Sequence, residues 1–273
     1  MNRRTLILSA VALAFAAAPA AAQRFEPTRF TVETVGRGPD VILIPGLTSG
    51  REVWRATAAA LPGYRFHLVQ VAGFAGEPAR GNREGPVVAP LAAEIARYIE
   101  ARGLVRPAIV GHSMGGTIAM MIAARRPELA GRIMVVDMLP QPAGLIGGSA
   151  RDAGPLADFI ATPGGGRLFG ALMGVFSPPG ATIRRSDPDV VGRAVRELAT
   201  TDLSDRLPRI RAPFTIVYAS PDPQANAAID RSFTRAYAAA PSARLVRIDG
   251  SGHMVMLDRP ARFRAALREF LAR

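Results

Sequence analysis

Seven short apolar segments, separated by stretches of helical periodicity, limit the folds open to this chain. Most are continuous runs of β-branched and other apolar residues rather than alternations of apolar and polar residues. Continuous runs are typical of strands covered by helices on both faces of a sheet. The predicted strands span residues 29–35, 40–45, 64–71, 106–111, 132–138, 213–219 and 243–249.

Amphipathic helical patterns lie between several of these strands. Apolar residues recur at three- and four-residue steps in residues 87–102 and again from Phe263 to Leu271. Pro260 stands where the first turn of a helix accepts proline. We interpret both stripes as core-facing surfaces. The alternation of strand and helix predicts an α/β fold, with a mostly parallel, doubly wound sheet flanked by helices.

Residues 140–208 interrupt this alternation. They contain glycine- and proline-rich stretches, show no clear strand, and include a helical pattern over residues 187–200. An insertion of this size between two core strands predicts a cap or lid. Its larger apolar residues either line an apolar pocket or form the cap's own small core. These residues are Leu145, Ile146, Phe159, Leu168, Phe169, Leu172, Met173 and Phe176.

Residues 1–22 have the pattern of a secretory signal peptide. Arg3 and Arg4 precede an apolar run from Leu6 to Ala18, and small residues lead up to Ala22. The run is shorter than the roughly 20 residues that a membrane span requires. We therefore expect cleavage before Gln23, an exported (periplasmic or secreted) protein of one domain over residues 23–273, and no stable membrane insertion.

Composition excludes several kinds of chemistry. There is no cysteine, so disulfides, thiolate nucleophiles and cysteine-based metal sites are excluded. The formal net charge is +12, and all 34 basic side chains are arginine. These arginines are scattered and lack interleaved aromatic residues, which disfavours a nucleic-acid partner.

The segment Gly111-His112-Ser113-Met114-Gly115 matches the pattern G-x-S-x-G. A predicted strand ends at Gly111 and an apolar helix begins near Thr117, which is the strand–turn–helix setting of a nucleophile elbow. Glycines at positions 111 and 115 remove side chains that would clash in so tight a turn. The alternative is a serine that only caps the helix. The flanking glycines favour Ser113 as a nucleophile.

The chain resembles the α/β-hydrolase superfamily along most of its length after residue 22. The segments that carry the resemblance are "LIPGLTSGREVWR", "VGHSMGGTIA", "YASPD" and "SGHMVMLDRP". The resemblance implies a serine nucleophile, a histidine base in the loop after the last strand, and an acid between them in the sequence.

His253 is the predicted base among the three histidines. It lies in the glycine-containing loop between the last strand and the C-terminal helix, where the resemblance also places the catalytic histidine. His112 adjoins Ser113 on a sharp turn, so its side chain should point away from that of Ser113. His67 lies within a predicted strand and is interpreted as a packed or hydrogen-bonded imidazole.

Asp222 is the predicted acid, because it follows a strand by a few residues in a turn stiffened by Pro221 and Pro223. The resemblance usually has glycine where this chain has Ala219. Asp137, at the end of the strand 132–138, is the alternative, because some relatives take the acid from that strand. Asp249 is close to His253 in sequence and is interpreted as a polar strand end.

Two backbone amides are predicted to form an oxyanion hole. Met114 N–H lies directly after the serine. The resemblance places the second donor after the strand 40–45, at Leu47, beyond Pro45-Gly46. Many relatives have histidine at the position of Pro45, so an imidazole that braces this loop is missing.

The sequence thus predicts a serine hydrolase that cleaves carboxylic esters of small or medium apolar acyl groups. Its partner is a small ester-like substrate, and no metal or other cofactor is expected. Lactone, thioester, amide or C–C bond cleavage remains open with the same residues. A non-catalytic ligand-binding protein on the same fold is the alternative from another class.

Overall fold

A computed structural model describes residues 25–146, 182–240 and 242–273, together with Thr162, Gly164, Gly165 and Leu168. The predicted signal peptide lies outside these residues. The described part of the chain contains one seven-stranded sheet. Its strands are β1 (Phe30–Gly36), β2 (Asp40–Ile44), β3 (Arg65–Val71), β4 (Ala108–His112), β5 (Arg132–Val136), β6 (Phe214–Ser220) and β7 (Ala243–Asp249).

The order of the strands is β1-β3-β2-β4-β5-β6-β7. β1 pairs with β3 in the antiparallel direction, with Phe30 opposite Val71 and Gly36 opposite Arg65. Every other pair in this sheet is parallel. The prediction of a mostly parallel sheet is therefore confirmed. In such a sheet the carboxyl ends of the parallel strands share one edge, where side chains from distant parts of the sequence can meet.

Helices cover both faces of the sheet. They are α1 (Glu52–Ala59), α2 (Val88–Ala101), α3 (Met114–Arg125), α4 (Pro188–Thr200), α5 (Asn226–Ala236), α6 (Val255–Asp258) and α7 (Pro260–Ala272).

Two separate apolar cores result from this arrangement. One packs α2, α3, α4 and α5 against the face of β2 that carries Ile42 and Ile44. The other packs α1, α6 and α7 against the opposite face, which carries Val41 and Leu43. Adjacent residues of a strand point to opposite faces, so a continuous apolar run is what a doubly covered strand requires.

The described ends of the predicted insertion pack on the main domain. After β5 the chain forms a 3-10 turn at Pro142–Ile146, and α4 leads back toward β6. The Glu197 carboxylate of α4 accepts hydrogen bonds from the backbone N–H groups of Val88 (2.7 Å) and Ala89 (2.9 Å) at the start of α2. The N-terminal end of α2 is thereby linked to the side of α4.

The centre of the insertion lies largely outside the described residues, so the cap over residues 140–208 stays a prediction. Phe159, Phe169, Leu172, Met173 and Phe176 are among the residues outside, and Leu168 is 58% exposed. Among the described residues, no helix is long and apolar enough to cross a membrane.

Candidate active site

Ser113 lies in the tight turn between β4 and α3. Its φ of 52° and ψ of −122° are a conformation that L-amino acids rarely adopt. The turn is held by hydrogen bonds from Ser113 N–H to Val136 O (2.9 Å) and from Gly116 N–H to Ser113 O (2.7 Å). The Ser113 side chain makes no capping hydrogen bond, although it occupies the N-cap position of α3. Its hydroxyl is therefore not used to cap the N-terminal end of the helix.

Three glycines make the turn sterically possible. A Cβ on Gly111 would lie 2.0 Å from Gly115 O, and a Cβ on Gly115 would lie 2.3 Å from Ile44 O. A Cβ on Gly116 would lie 2.9 Å from a methyl group of Val135. The first two glycines were expected from the sequence pattern, and Gly116 was not. Together they bring the backbone of α3 against β2 and β5, as the tight turn of a nucleophile elbow requires.

His253 is hydrogen bonded to Asp137. The His253 Nδ1–H donates to Asp137 Oδ2 over 2.7 Å, in the loop between β7 and α6. The His253 side chain is 47% exposed and the Asp137 side chain is 11% exposed. An imidazole whose Nδ1 carries the proton has its lone pair on Nε2, which can accept a proton from a hydroxyl group.

The expectation that Asp222 lies against His253 is corrected by this geometry. Asp222 is exposed, and its Oδ1 accepts a hydrogen bond from Gln224 N–H (2.9 Å). It thereby caps the 3-10 turn Pro223–Ala225. The physical reason is local, since an aspartate with proline after it is well suited to begin a helical turn and its carboxylate is used there.

Asp137, the alternative acid, is fixed by its own strand neighbours. It follows β5, and its backbone N–H donates to Val217 O over 2.7 Å. Its Oδ1 accepts from Ala219 N–H over 2.9 Å, which leaves Oδ2 to His253. Asp137 has a φ of 51°, so the residues that directly follow β4 and β5, Ser113 and Asp137, both have a rare positive φ. Such strain is typical of functional sites.

The loop after β2 lies directly against the serine. A Cβ on Gly46 would be 3.0 Å from Ser113 Cβ and 2.8 Å from His112 Nδ1. Ser49 N–H donates to Gly46 O (3.2 Å), which closes the turn that contains Leu47. Met114 is the first residue of α3, where backbone N–H groups have no acceptor within the helix. Met114 therefore adjoins Ser113 along the chain, and the turn that contains Leu47 lies against Ser113 through Gly46.

His112 is buried beneath the site, a role that the sequence analysis missed. Its Nε2 lies 2.9 Å from the backbone oxygen of His253, and the two imidazole rings are 4.7 Å apart between centroids. Burial, followed by the nearby charge of His253, lowers the pKa of His112 to about 3. His112 is therefore a neutral hydrogen-bond donor at physiological pH.

The other two candidate residues have structural contacts. The buried His67 is hydrogen bonded to Tyr98 Oη (2.8 Å) and Asp40 Oδ1 (2.7 Å), as a packed imidazole in a strand should be. Burial lowers its pKa. Asp249 accepts a hydrogen bond from Arg247 Nε (2.6 Å) at the end of β7.

The sequence profile described as "Alpha/beta hydrolase family" matches residues 41–266. This match covers most of the chain, and the elbow, the strands β3 to β7 and the histidine loop all fall within it. The chain therefore belongs to the α/β hydrolase family.

Individual relatives agree with this assignment. The polyketide synthase ThaQ of Burkholderia thailandensis is 31% identical over 86% of this chain, although the chain covers 12% of that protein. Pimeloyl-(acyl-carrier protein) methyl ester esterase of Aromatoleum aromaticum is 27% identical, over 81% of this chain and 94% of that one. A solved structure of a thermophilic esterase from Thermogutta terrifontis covers 92% of this chain and 98% of its own, with 21% identity and a TM-score of 0.69, and supports the fold.

Proposed function

We propose that this protein is a serine hydrolase of carboxylic esters whose catalytic residues are Ser113, His253 and Asp137. The observation that carries the proposal is the 2.7 Å contact between His253 Nδ1 and Asp137 Oδ2. It supplies an oriented base at the sheet edge where the strained turn presents Ser113. A serine hydroxyl requires such a base to become a useful nucleophile.

In the proposed mechanism, Ser113 Oγ attacks the ester carbonyl carbon while His253 Nε2 takes the hydroxyl proton. The carbonyl π electrons move to oxygen, and the resulting oxyanion accepts hydrogen bonds from Leu47 N–H and Met114 N–H. Each such donor contributes about 3 kcal/mol to the stability of the transition state. Asp137 stabilises the imidazolium through its Nδ1–H and holds the ring in one tautomer.

Collapse of the tetrahedral intermediate breaks the bond to the leaving oxygen, which receives the proton from His253 Nε2. Water then attacks the acyl-enzyme, with His253 again acting as base, and the carboxylic acid leaves as Ser113 recovers its proton. The two half-reactions require no residues beyond these five.

For the substrate, we propose small or medium apolar acyl groups. The named activity of the Aromatoleum relative is methyl ester cleavage, which supports an ester rather than an amide. A chain-length series of p-nitrophenyl esters tests this, and highest activity on charged or sugar esters would contradict it.

The decisive experiment compares the wild type with Ser113→Ala on p-nitrophenyl acetate and butyrate, alongside labelling with a fluorophosphonate probe. We expect turnover to fall by about 10³-fold or more in the variant. We also expect one adduct, on the peptide that contains Ser113. Ligand binding without turnover or labelling in the wild type would instead support the non-catalytic alternative.

A further inference from the structure

We propose that His112 is a positioning residue that holds the backbone of the base, His253, through a hydrogen bond from its Nε2–H to His253 O. The inference rests on the proposed function and concerns a residue with no role in proton transfer. His112 occupies the position directly before the nucleophile, yet its side chain contacts the loop that carries the base.

The chemistry of the contact fixes the tautomer of His112. A backbone carbonyl can only accept a hydrogen bond, so the nitrogen 2.9 Å from His253 O must carry the proton. The imidazole is then neutral with its lone pair on Nδ1. Its low pKa, about 3, agrees with this assignment, because burial disfavours the charged form.

The Nδ1 side of the same ring faces the loop of the oxyanion hole. Nδ1 is buried and, among the described residues, has no hydrogen-bond partner. Gly46 approaches this atom so closely that a Cβ would come within 2.8 Å of it. His112 is thus packed between the Gly46 turn and the His253 loop.

The loop that His112 holds is also hydrogen bonded at each of its ends. Gly250 N–H donates to Ser220 O (2.6 Å) at its beginning, and Leu257 N–H donates to Met254 O (2.7 Å) after it. His253 lies between these two points and its side chain is half exposed. The hydrogen bond to Asp137 therefore fixes the ring of His253, and the hydrogen bond from His112 fixes its backbone. Loss of the hydrogen bond from His112 should let His253 Nε2 move away from Ser113.

The test uses three substitutions at one position. His112→Leu fills the space but donates nothing. His112→Gln places an amide nitrogen where Nε2 stood, and His112→Asn is one methylene shorter and does not reach His253 O. Fluorophosphonate titration gives the fraction of competent sites, so kcat per titrated site separates positioning from partial unfolding. Hydrogen exchange of residues 250–254 reports the loop directly, whether or not the protein turns over an ester.

We expect His112→Leu and His112→Asn to lower kcat per titrated site by about 10- to 100-fold with little change in KM, because the base is misplaced rather than removed. Exchange in residues 250–254 should rise in both. His112→Gln should recover most of kcat and the exchange protection. A leucine variant within about twofold of the wild type, or a glutamine variant no better than leucine, would overturn the proposal. A wild type that is neither active nor labelled would defeat the proposed function, and unchanged exchange in the leucine variant would then overturn the positioning role separately.

Discussion

Asp137 Oδ2 lies 2.7 Å from His253 Nδ1, and the other oxygen of the same carboxylate accepts from Ala219 N–H. The strand β5, which Asp137 directly follows, lies between β4 and β6 in the sheet. The proposed acid thus follows the strand next to that of the proposed nucleophile, and the neighbouring strand β6 supplies the amide that fixes its carboxylate. A carboxylate bonded at both oxygens presents a single geometry to the imidazole.

The first prediction concerns this carboxylate. Asp137→Asn should lower kcat for p-nitrophenyl butyrate by about 10³- to 10⁴-fold, because an amide that donates from the same position favours the wrong tautomer of His253. Labelling by a fluorophosphonate should slow in parallel.

Asp222→Asn is the matched control, since it makes the same chemical change in the residue first expected from the sequence. Asp222 caps an exposed turn, so its replacement should leave kcat within about twofold of the wild type. If Asp222→Asn were the inactive variant and Asp137→Asn the active one, the assignment of the acid would be reversed.

A second prediction concerns the turn that presents Leu47. Gly46→Ala adds a Cβ at 3.0 Å from Ser113 Cβ and 2.8 Å from His112 Nδ1, so the oxyanion loop must move away from the serine. We expect kcat to fall by about 10²-fold, as loss of one oxyanion donor does, while KM changes little. Steady-state kinetics on p-nitrophenyl acetate measure both constants.

Gly164→Ala is the control for that substitution, because a Cβ there meets no atom of the described residues within 4 Å. It should have the kinetics of the wild type. Full activity in Gly46→Ala would show that Leu47 N–H is not an oxyanion donor or that the loop relaxes at no cost.

Features that depend on neighbouring residues could be predicted from the sequence, and the seven strands are an example. Their continuous β-branched runs placed the sheet to within two residues at each end, because doubly covered strands need apolar side chains on both faces. The turn at Ser113 could be predicted as well, because the strand, the two glycines and the helix that define it lie within a few residues of one another. Gly116 differs, because its constraint comes from Val135 on another strand.

Which aspartate contacts His253 could not be decided from local sequence. Asp222 and Asp137 both follow a strand that ends at the same edge of the sheet. What separates them is the direction of each carboxylate after the strand ends, which depends on the φ of 51° at Asp137 and on the 3-10 turn after Asp222. The contact of His112 with His253 O joins residues 141 positions apart, and the sequence around neither residue indicates it.

A third prediction concerns the stability of the described insertion end. Glu197 accepts hydrogen bonds from backbone N–H groups at the start of α2, where a negative charge also interacts favourably with the helix dipole. Glu197→Ala should reduce the free energy of unfolding by about 1–3 kcal/mol, as measured by urea denaturation. Glu197→Gln keeps an acceptor oxygen and loses the charge, so its free energy of unfolding should lie between those of the wild type and the alanine variant. Equal stability of alanine and wild type would mean that solvent satisfies these amides equally well.

The last prediction concerns acid stability, and it follows from the two buried histidines. The pKa of His112 is lowered to about 3, and that of His67 is also lowered, from an ordinary value of 6.5. Above pH 6.5 both are neutral in the folded and the unfolded chain, and neither makes unfolding depend on pH. Below it, the unfolded chain binds protons that the folded chain does not, so the free energy of unfolding should decrease as the pH falls.

His112 alone should contribute a slope of up to about 1.4 kcal/mol per pH unit, extending downward from pH 6.5 toward its folded pKa. Urea denaturation between about pH 5 and pH 7.5 measures this slope. His112→Gln removes the titrating group and keeps a donor for His253 O, so its slope should be shallower than that of the wild type, with the part due to His67 remaining. Identical slopes in the two proteins would mean that His112 gains a proton in the folded chain as readily as in the unfolded one. Its buried Nδ1 would then have to find an acceptor when protonated, and the low folded pKa of His112 would be wrong.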